Sequence, residues 1–331
     1  MAASPSGSSS ASASAVSSAD AQAAIDAVCQ KGIQEGAVTV WDDIDPDLFA
    51  KETAPFVQKY PGIKVTQTSI RPTDSVPRVI TDVTAGKTPE TDFVQGEASL
   101  LDPLVQRGLI DTSFDWVAMG QPSDEVLNGM LRHYRTFRGL GYNVNSVQKS
   151  ELPDTWDALI DAKWSGQVMV DPRGYTFQDL AVAWGEQKTL DYVNRLKATV
   201  HPIVLKGITD DEVAIASGQA KLNTNIRDAE TAEQQSKGAP VDIKYLDYVI
   251  VDDSYNAVVK GSAHPNASAC LIAWMNSEDG LKLQYDNEFK HNEDTLSAVP
   301  ANAQLVNVDT PEKASLDSKV AAEVAKIWAN K

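Results

Sequence analysis

Apolar positions along this chain switch repeatedly between the two-residue rhythm of a strand and the i, i+3, i+4, i+7 rhythm of a helix. Ala37-Val38-Thr39-Val40-Trp41 reads as a strand after a helical segment that Gly36 ends. Asp45-Pro46 then offers a cap and a first-turn proline to a helix with Leu48, Phe49, Phe56 and Val57 on its apolar face. Pro55 should kink or split that helix. A strand at 63–67 follows. Val76, Val79, Ile80 and Val83 give the clearest helical spacing in the chain, with Asp74 or Ser75 as cap and Gly86 as stop. A strand at Asp92-Phe93-Val94 and a helix carrying Leu100, Leu101, Leu104 and Val105, stopped by Gly108, complete the run. This alternation predicts a mostly parallel sheet with helices on its faces.

A second alternating region begins after Asn143. It predicts a helix at 155–161, a strand at 167–170, and helices near 176–186 and 189–199. Thr209-Asp210-Asp211-Glu212 is a capping box opening a further helix. A strand near 221–224, a helix near 228–237 and two strands near 242–251 and 256–260 come next. The chain ends in helices at 265–276, 278–289 and 311–328. No repeat of solenoid period is present.

Composition adds limits. The 331 residues suffice for two modest cores. No stretch approaches the roughly 18–20 consecutive apolar residues of a membrane span. A net charge of −17 argues against nucleic acid, whose phosphates need a basic face. Residues 2–19 form a Ser/Ala/Gly tract with no possible core, expected to be disordered and lacking the basic end and apolar middle of a signal peptide. The two cysteines, Cys29 and Cys270, form no metal motif. They are either one disulfide or two buried thiols.

An ordered series of short segments resembles the type 2 periplasmic solute-binding proteins of ABC importers, in the subgroup with ferric-ion, thiamine and aminophosphonate binders. The series runs from Val38-Thr39-Val40-Trp41 through Phe56–Val65 and Thr91-Asp92-Phe93-Val94. It continues in Gly141-Tyr142-Asn143, Leu152-Pro153-Asp154-Thr155-Trp156, Trp164-Ser165-Gly166 and Asp171-Pro172. The resemblance implies an α/β clamp of two lobes, each a mixed, mostly parallel sheet flanked by helices, with two crossing segments as hinge. Lobe 1 would take residues 20–136 and 257–300, and lobe 2 residues 137–256. Residues 301–331 would be a tail whose helix packs on the lobes. Crossings are expected along 137–143 and 252–258. The partners implied are a small solute and an ABC permease with its ATPase; no cofactor is implied. The location implied is extracytoplasmic, with residues 1–19 as the tether after a removed lipid-carrying cysteine, and the protein a monomer.

Ligands of open α/β sheets lie beyond the carboxyl ends of strands, near helix N-termini. That rule selects candidates from both lobes. Trp41 would stack on a flat ligand or cap the core, and Asp42 and Asp43 would bind a cation or favour the next helix start. Arg71 would grip a carboxylate or phosphonate, or be a surface arginine. Gly96 would let the backbone approach a ligand, and Glu97 would touch it or start a helix. In lobe 2 the loop after Asp171 offers Arg173, Tyr175 and Thr176; beyond it lie Asn223, Asn225, Arg227 and, at the return crossing, Tyr255 and Asn256. Tyr142 and Asn143 read as hinge packing. Three arginine-bearing loops favour an organic carboxylate or phosphonate, and Trp41 with Tyr175 an aromatic one. Ferric iron is the rival ligand, but relatives that bind it typically use adjacent late tyrosines, whereas Tyr245, Tyr248 and Tyr255 are spread out. An enzyme or a sensor module on the same fold is the reading from another class. The four histidines form no metal or nucleophile motif, and Gly86-Lys87-Thr88 lacks the first glycine of a P-loop.

Overall fold

A computed structural model of the chain describes residues 16–205 and 211–330. Helix α1 (Ser18–Glu35) starts on Ser17, whose hydroxyl accepts the Asp20 amide, and stops at Gly36 with φ +81°. The end of the low-complexity tract is therefore helical rather than disordered, because Ser17 supplies a cap. Residues 1–15 of the expected tether lie outside the described residues.

Strand β1 (Ala37–Asp42), helix α2 (Pro46–Lys59), strand β2 (Lys64–Ser69), helix α3 (Pro72–Thr84), strand β3 (Phe93–Glu97) and helix α4 (Ala98–Gln106) follow. Helix α2 is unbroken at Pro55. Pro55 and Lys51 are both exposed, so the Lys51 carbonyl that loses its amide donor is open to water. Helix α3 begins two residues before the expected caps, on Pro72, leaving Arg71 as an extended N-cap with no side-chain bond to the helix.

After β4 (Val126–Leu127) the long strand β5 (Met130–Asn143) leads to β6 (Val168–Val170), α5 (Phe177–Trp184), α6 (Glu186–Val200) and β7 (Ile203–Val204). The helix expected at 155–161 is instead two short 3-10 turns, at Asp157–Leu159 and Ala162–Trp164. Helix α7 (Asp211–Ala216), strand β8 (Leu222–Arg227), helix α8 (Asp228–Ser236) and strand β9 (Val241–Lys244) precede the second long strand, β10 (Tyr248–Val258). Thr209 and Asp210 of the expected capping box lie outside the described residues. Helices α9 (Pro265–Met275) and α10 (Glu278–Glu288), strand β11 (Gln304–Asn307) and helix α11 (Pro311–Ala329) end the chain.

One mixed sheet runs β2-β1-β3-β10-β5-β8-β6-β7. Strands β2, β1 and β3 are mutually parallel, as are β7, β6 and β8. Between these two sets the antiparallel pair β5–β10 joins the halves. β10 pairs with β3 only from Ser254 onward, and β5 pairs with β8 only from Arg138 onward. Across Thr136–Phe137 and Val251–Asp253 the sheet thus narrows to a two-stranded ribbon, backed by β11 as far as Val251. This ribbon lies at the start of each segment expected to cross between lobes, 137–143 and 252–258.

β10 is continuous where a gap between two strands was expected. Asp252 and Asp253 can stay in it because each is neutralised on its own face. Arg138 takes Asp252 at 2.7 and 2.6 Å, and Arg135 takes Asp253 at 2.6 and 2.8 Å.

Each half has its own core. Phe49, Phe56, Trp116, Leu271 and Trp274 pack around α1, α2 and α9 in lobe 1, with a second cluster under α3 and α4. In lobe 2, Trp156, Phe177, Leu196 and Val320 pack with Trp328 of α11. Cys29 of α1 and Cys270 of α9 form a disulfide, with Cα atoms 4.9 Å apart.

Candidate functional site

The two lobes face each other across a cleft whose floor is the β5–β10 ribbon. Period-2 alternation puts one set of ribbon side chains into the cleft, among them Tyr134, Thr136, Asp252 and Ser254. The opposite set, including Phe137 and Val251, joins a small apolar cluster with Tyr245 and Val249 behind the ribbon. The cleft divides into three chambers of about 340, 400 and 440 Å³ that share walls.

The middle chamber collects residues from both lobes. Asp43 and Arg71 come from the loops after β1 and β2, and Arg173, Tyr175, Asn225 and Arg227 from lobe 2. Asp211, Glu212, Glu230, Glu233 and Gln234 complete it. Glu97, at the end of β3, lines both the first and the third chamber.

Three expected contacts stand elsewhere. Trp41 is buried in the lobe 1 core with Val79, Val94 and Leu104, because the last residues of β1 still lie under helices. Thr176 is fully buried; its hydroxyl donates to the Thr224 carbonyl at 2.8 Å, and its amide donates to Asp179. Its φ of +76° is unusual for a β-branched residue, and these bonds hold it there. Tyr255 belongs to the same core cluster as Trp41. Gly96 makes room for Pro72 rather than for a ligand: an added Cβ would lie 2.9 Å from the proline ring. Tyr142 and Asn143 are structural, bonding to Asp242 and to the carbonyls of Ile215 and Ala216.

The arginines differ in how far they are committed. Arg173 forms a two-point pair with Asp171, at 3.0 and 2.6 Å, and its guanidinium lies 4.3 Å from the Tyr175 ring centre. Arg138 lies 5.5 Å from the same ring, so Tyr175 sits among cations. Arg227 bonds Asp252 at 3.2 Å and approaches Glu230 at 3.8 Å. Arg71 has no ion pair among the described residues and stands exposed at the cleft.

Carboxylates outnumber these cations, and their protonation reflects it. Burial, then the neighbouring Asp252 charge, pushes Glu97 up to about 7. Burial and Glu230 raise Glu212 to about 8. Burial and the nearby Asp179 charge raise Asp317 to about 8. Burial also opposes the charge on Asp252, but Arg138 and Arg227 outweigh it and hold this carboxyl below the usual range.

Several cleft residues escaped sequence reasoning. The ribbon set lay mid-strand, not at strand exits; its signal is polar residues alternating through otherwise apolar runs. Asp317 and Lys290 come from helical and post-helical segments far along the chain, and nothing local marks them. Among the described residues, no three His, Cys, Asp or Glu side chains are grouped to hold a metal ion.

A family model described as "Bacterial extracellular solute-binding protein" matches residues 51–302. No curated protein sequence matches the chain significantly. Among solved structures, iron-bound HitA from Pseudomonas aeruginosa is 20% identical, with TM-score 0.67 over 88% of this chain and 98% of that one. A substrate-binding protein of an ABC transporter from Agrobacterium tumefaciens is 16% identical, with TM-score 0.69 over 89% and 96%. AgtB of A. tumefaciens R10, in complex with agropinic acid, is 16% identical, with TM-score 0.60 over 89% and 98%. These likenesses speak to fold.

Proposed function

The chain belongs to the bacterial extracellular solute-binding proteins, and from that premise we propose that it delivers a small organic acid to an ABC permease and its ATPase, holding the acid by its carboxylate or phosphonate between the closing lobes. One observation carries this reading. Arg71 of lobe 1 and Arg173, Arg227 and Asn225 of lobe 2 line one chamber, and Arg71 has no acidic partner among the described residues. An oxyanion there would be bonded from both sides, and a ligand shifts a hinge only through contacts stronger in the closed state. The agropinic acid bound by AgtB is a precedent for an organic acid on this fold. An aromatic acid has less support, since Trp41 is buried in the core and cations occupy the surroundings of Tyr175. Ferric iron is the competing reading, and HitA is an iron-bound neighbour on this fold. Tyr245 and Tyr255 pack in apolar clusters away from the cleft, which weighs against it. A monomer tethered through the residues before the Ser17 cap of α1 is part of the same proposal.

Titration calorimetry with small carboxylates and phosphonates tests it. Arg71→Ala should weaken binding of the best ligand about ten- to a hundredfold, the cost of one charge-assisted hydrogen bond. Its unliganded stability should change by only about 0.5 kcal/mol, as for a surface substitution. Equal affinity in the variant, or tight binding of ferric iron and no acid, would overturn the oxyanion reading.

A further inference from the structure

The first chamber of the cleft, beside the one that holds Arg71, is built for the opposite charge. Asp43, Asp45, Glu97, Glu230, Asp252 and Glu288 all line it, against only two cations, Arg227 and Lys290. Both cations are already engaged. Arg227 is held by Asp252 and Glu230. Lys290 Nζ donates to Glu288 Oε2 at 2.7 Å and stands 4.4 Å from the Tyr134 ring centre.

Acceptors remain without donors. Glu288 Oε1 and Glu230 Oε2 are buried with no hydrogen-bond partner. The Glu288 side chain is only 10% exposed, so water reaches it poorly, whereas the Glu230 side chain is 39% exposed and opens on the cleft. A buried carboxylate oxygen left unpaired is costly, and such atoms in a ligand cavity mark where a donor belongs. The chamber shares Asp43, Arg227 and Glu230 with its neighbour, so one molecule can occupy both.

We propose that this chamber is a cation subsite, which takes an ammonium or guanidinium group on the same solute whose acid group meets Arg71. The solute is then a zwitterion with separated poles: the acid lies toward Arg71 and Arg173, and the cation donates to Glu230 and Glu288. This deepens the organic-acid reading and rests on it for the second pole. The acidic surplus of the cleft, which a simple anion would have to oppose, becomes part of recognition.

Calorimetry with matched probes separates the two claims. The probes are 5-aminopentanoate and 4-guanidinobutanoate, with pentanoate and pentylamine as single-pole controls. At least one two-pole probe should bind on the order of tenfold or more tighter than pentanoate. Glu230→Gln also removes a negative charge beside Arg227, so it should hold pentanoate at least as tightly as the wild type while the ratio of two-pole to pentanoate affinity falls toward one. Glu288→Gln should act likewise, and because it also alters the Lys290 pair, Glu230→Gln is the deciding variant. Pentanoate binding as tightly as both two-pole probes, with Arg71→Ala still harmful, overturns the cation subsite and leaves the acid reading standing. Pentylamine binding as tightly as the acids, weakened by Glu230→Gln but not by Arg71→Ala, keeps the subsite and removes the acid reading. A protein that binds no amine or guanidine, but takes a polyol or a metal ion, overturns the subsite.

Discussion

Glu97 shows how the cleft stores charge at the level of one side chain. Its carboxyl is raised from 4.5 to about 7, first by burial and then by Asp252. The folded protein therefore holds a proton that the unfolded chain gives up between those values. Stability contributed by this group is present at low pH and is lost as pH climbs from about 4.5 through about 7. Glu97→Gln keeps the shape of the neutral acid and removes the titration. We expect the variant to match the wild type near pH 4.5 and to exceed it at pH 8, by on the order of 2 kcal/mol. Urea melts of the unliganded proteins at the two pH values check this; a variant less stable at pH 8 would show that Glu97 works as a paired anion. Arg173 makes a contrast with Arg71. Its partner Asp171 is buried, so Arg173→Ala strands a carboxylate. Arg173 is itself partly exposed, which reduces the expected loss to roughly 1–2 kcal/mol of unliganded stability. Ligand affinity alone is thus a poor readout for Arg173 and a clean one for Arg71.

At the scale of elements, α1 and α9 are fastened twice. The Cys29–Cys270 disulfide closes a sequence separation of 241 residues, and Gly32 lets the helices touch. A Cβ on Gly32 would stand 2.8 Å from the Ala267 Cα, a backbone atom that cannot swing aside. Gly32→Ala should gain about 1 kcal/mol of helix propensity and lose more to overpacking, for a net loss of about 1–2 kcal/mol by urea midpoint. Replacing both cysteines by Ala should cost about 2–5 kcal/mol. A Gly32→Ala protein as stable as wild type would mean that α1 can slide without loss. The amphipathic elements were legible because each buries one face: the spacing of Val76, Val79, Ile80 and Val83 is enough to place α3. Local rules failed where tertiary partners decided. The gap expected between strands near 242–251 and 256–260 falls on Asp252 and Asp253, which stay inside β10 because Arg138 and Arg135 on β5 supply opposite-face partners. Trp41 reads as a strand-exit aromatic, yet the helices over β1 enclose it. The strand-exit rule did place Asp43, Arg71, Arg173, Asn225 and Arg227 along one chamber. It was blind to the ribbon residues, whose position depends on two strands far apart in sequence.

The whole molecule is two cores joined by a narrow ribbon, and its energetics should show that division. The lobe 1 clusters and the main lobe 2 cluster share no residue, and the disulfide lies wholly within lobe 1. On the cleft side of the ribbon Arg138, Asp252, Asp179 and Arg227 form a buried ionic network, and a small apolar cluster of Phe137, Tyr245, Val249 and Val251 backs its other side. Such a network fixes geometry but adds little net stability compared with apolar packing. We therefore expect the unliganded protein to unfold in two calorimetric steps. Reducing the disulfide should lower one step, that of lobe 1, and leave the other in place. A solute bonded by both lobes stabilises only the state in which both are folded, by RT ln(1 + [L]/Kd), about 2.7 kcal/mol at a hundredfold excess over Kd. Saturating solute should then raise the lower step toward the upper one until they merge. A ligand that moved one step alone would be held by one lobe, and the clamp would not be the means of capture. A single step in the unliganded protein, shifted as a whole by reduction, would mean that the ribbon couples the cores more strongly than its width suggests.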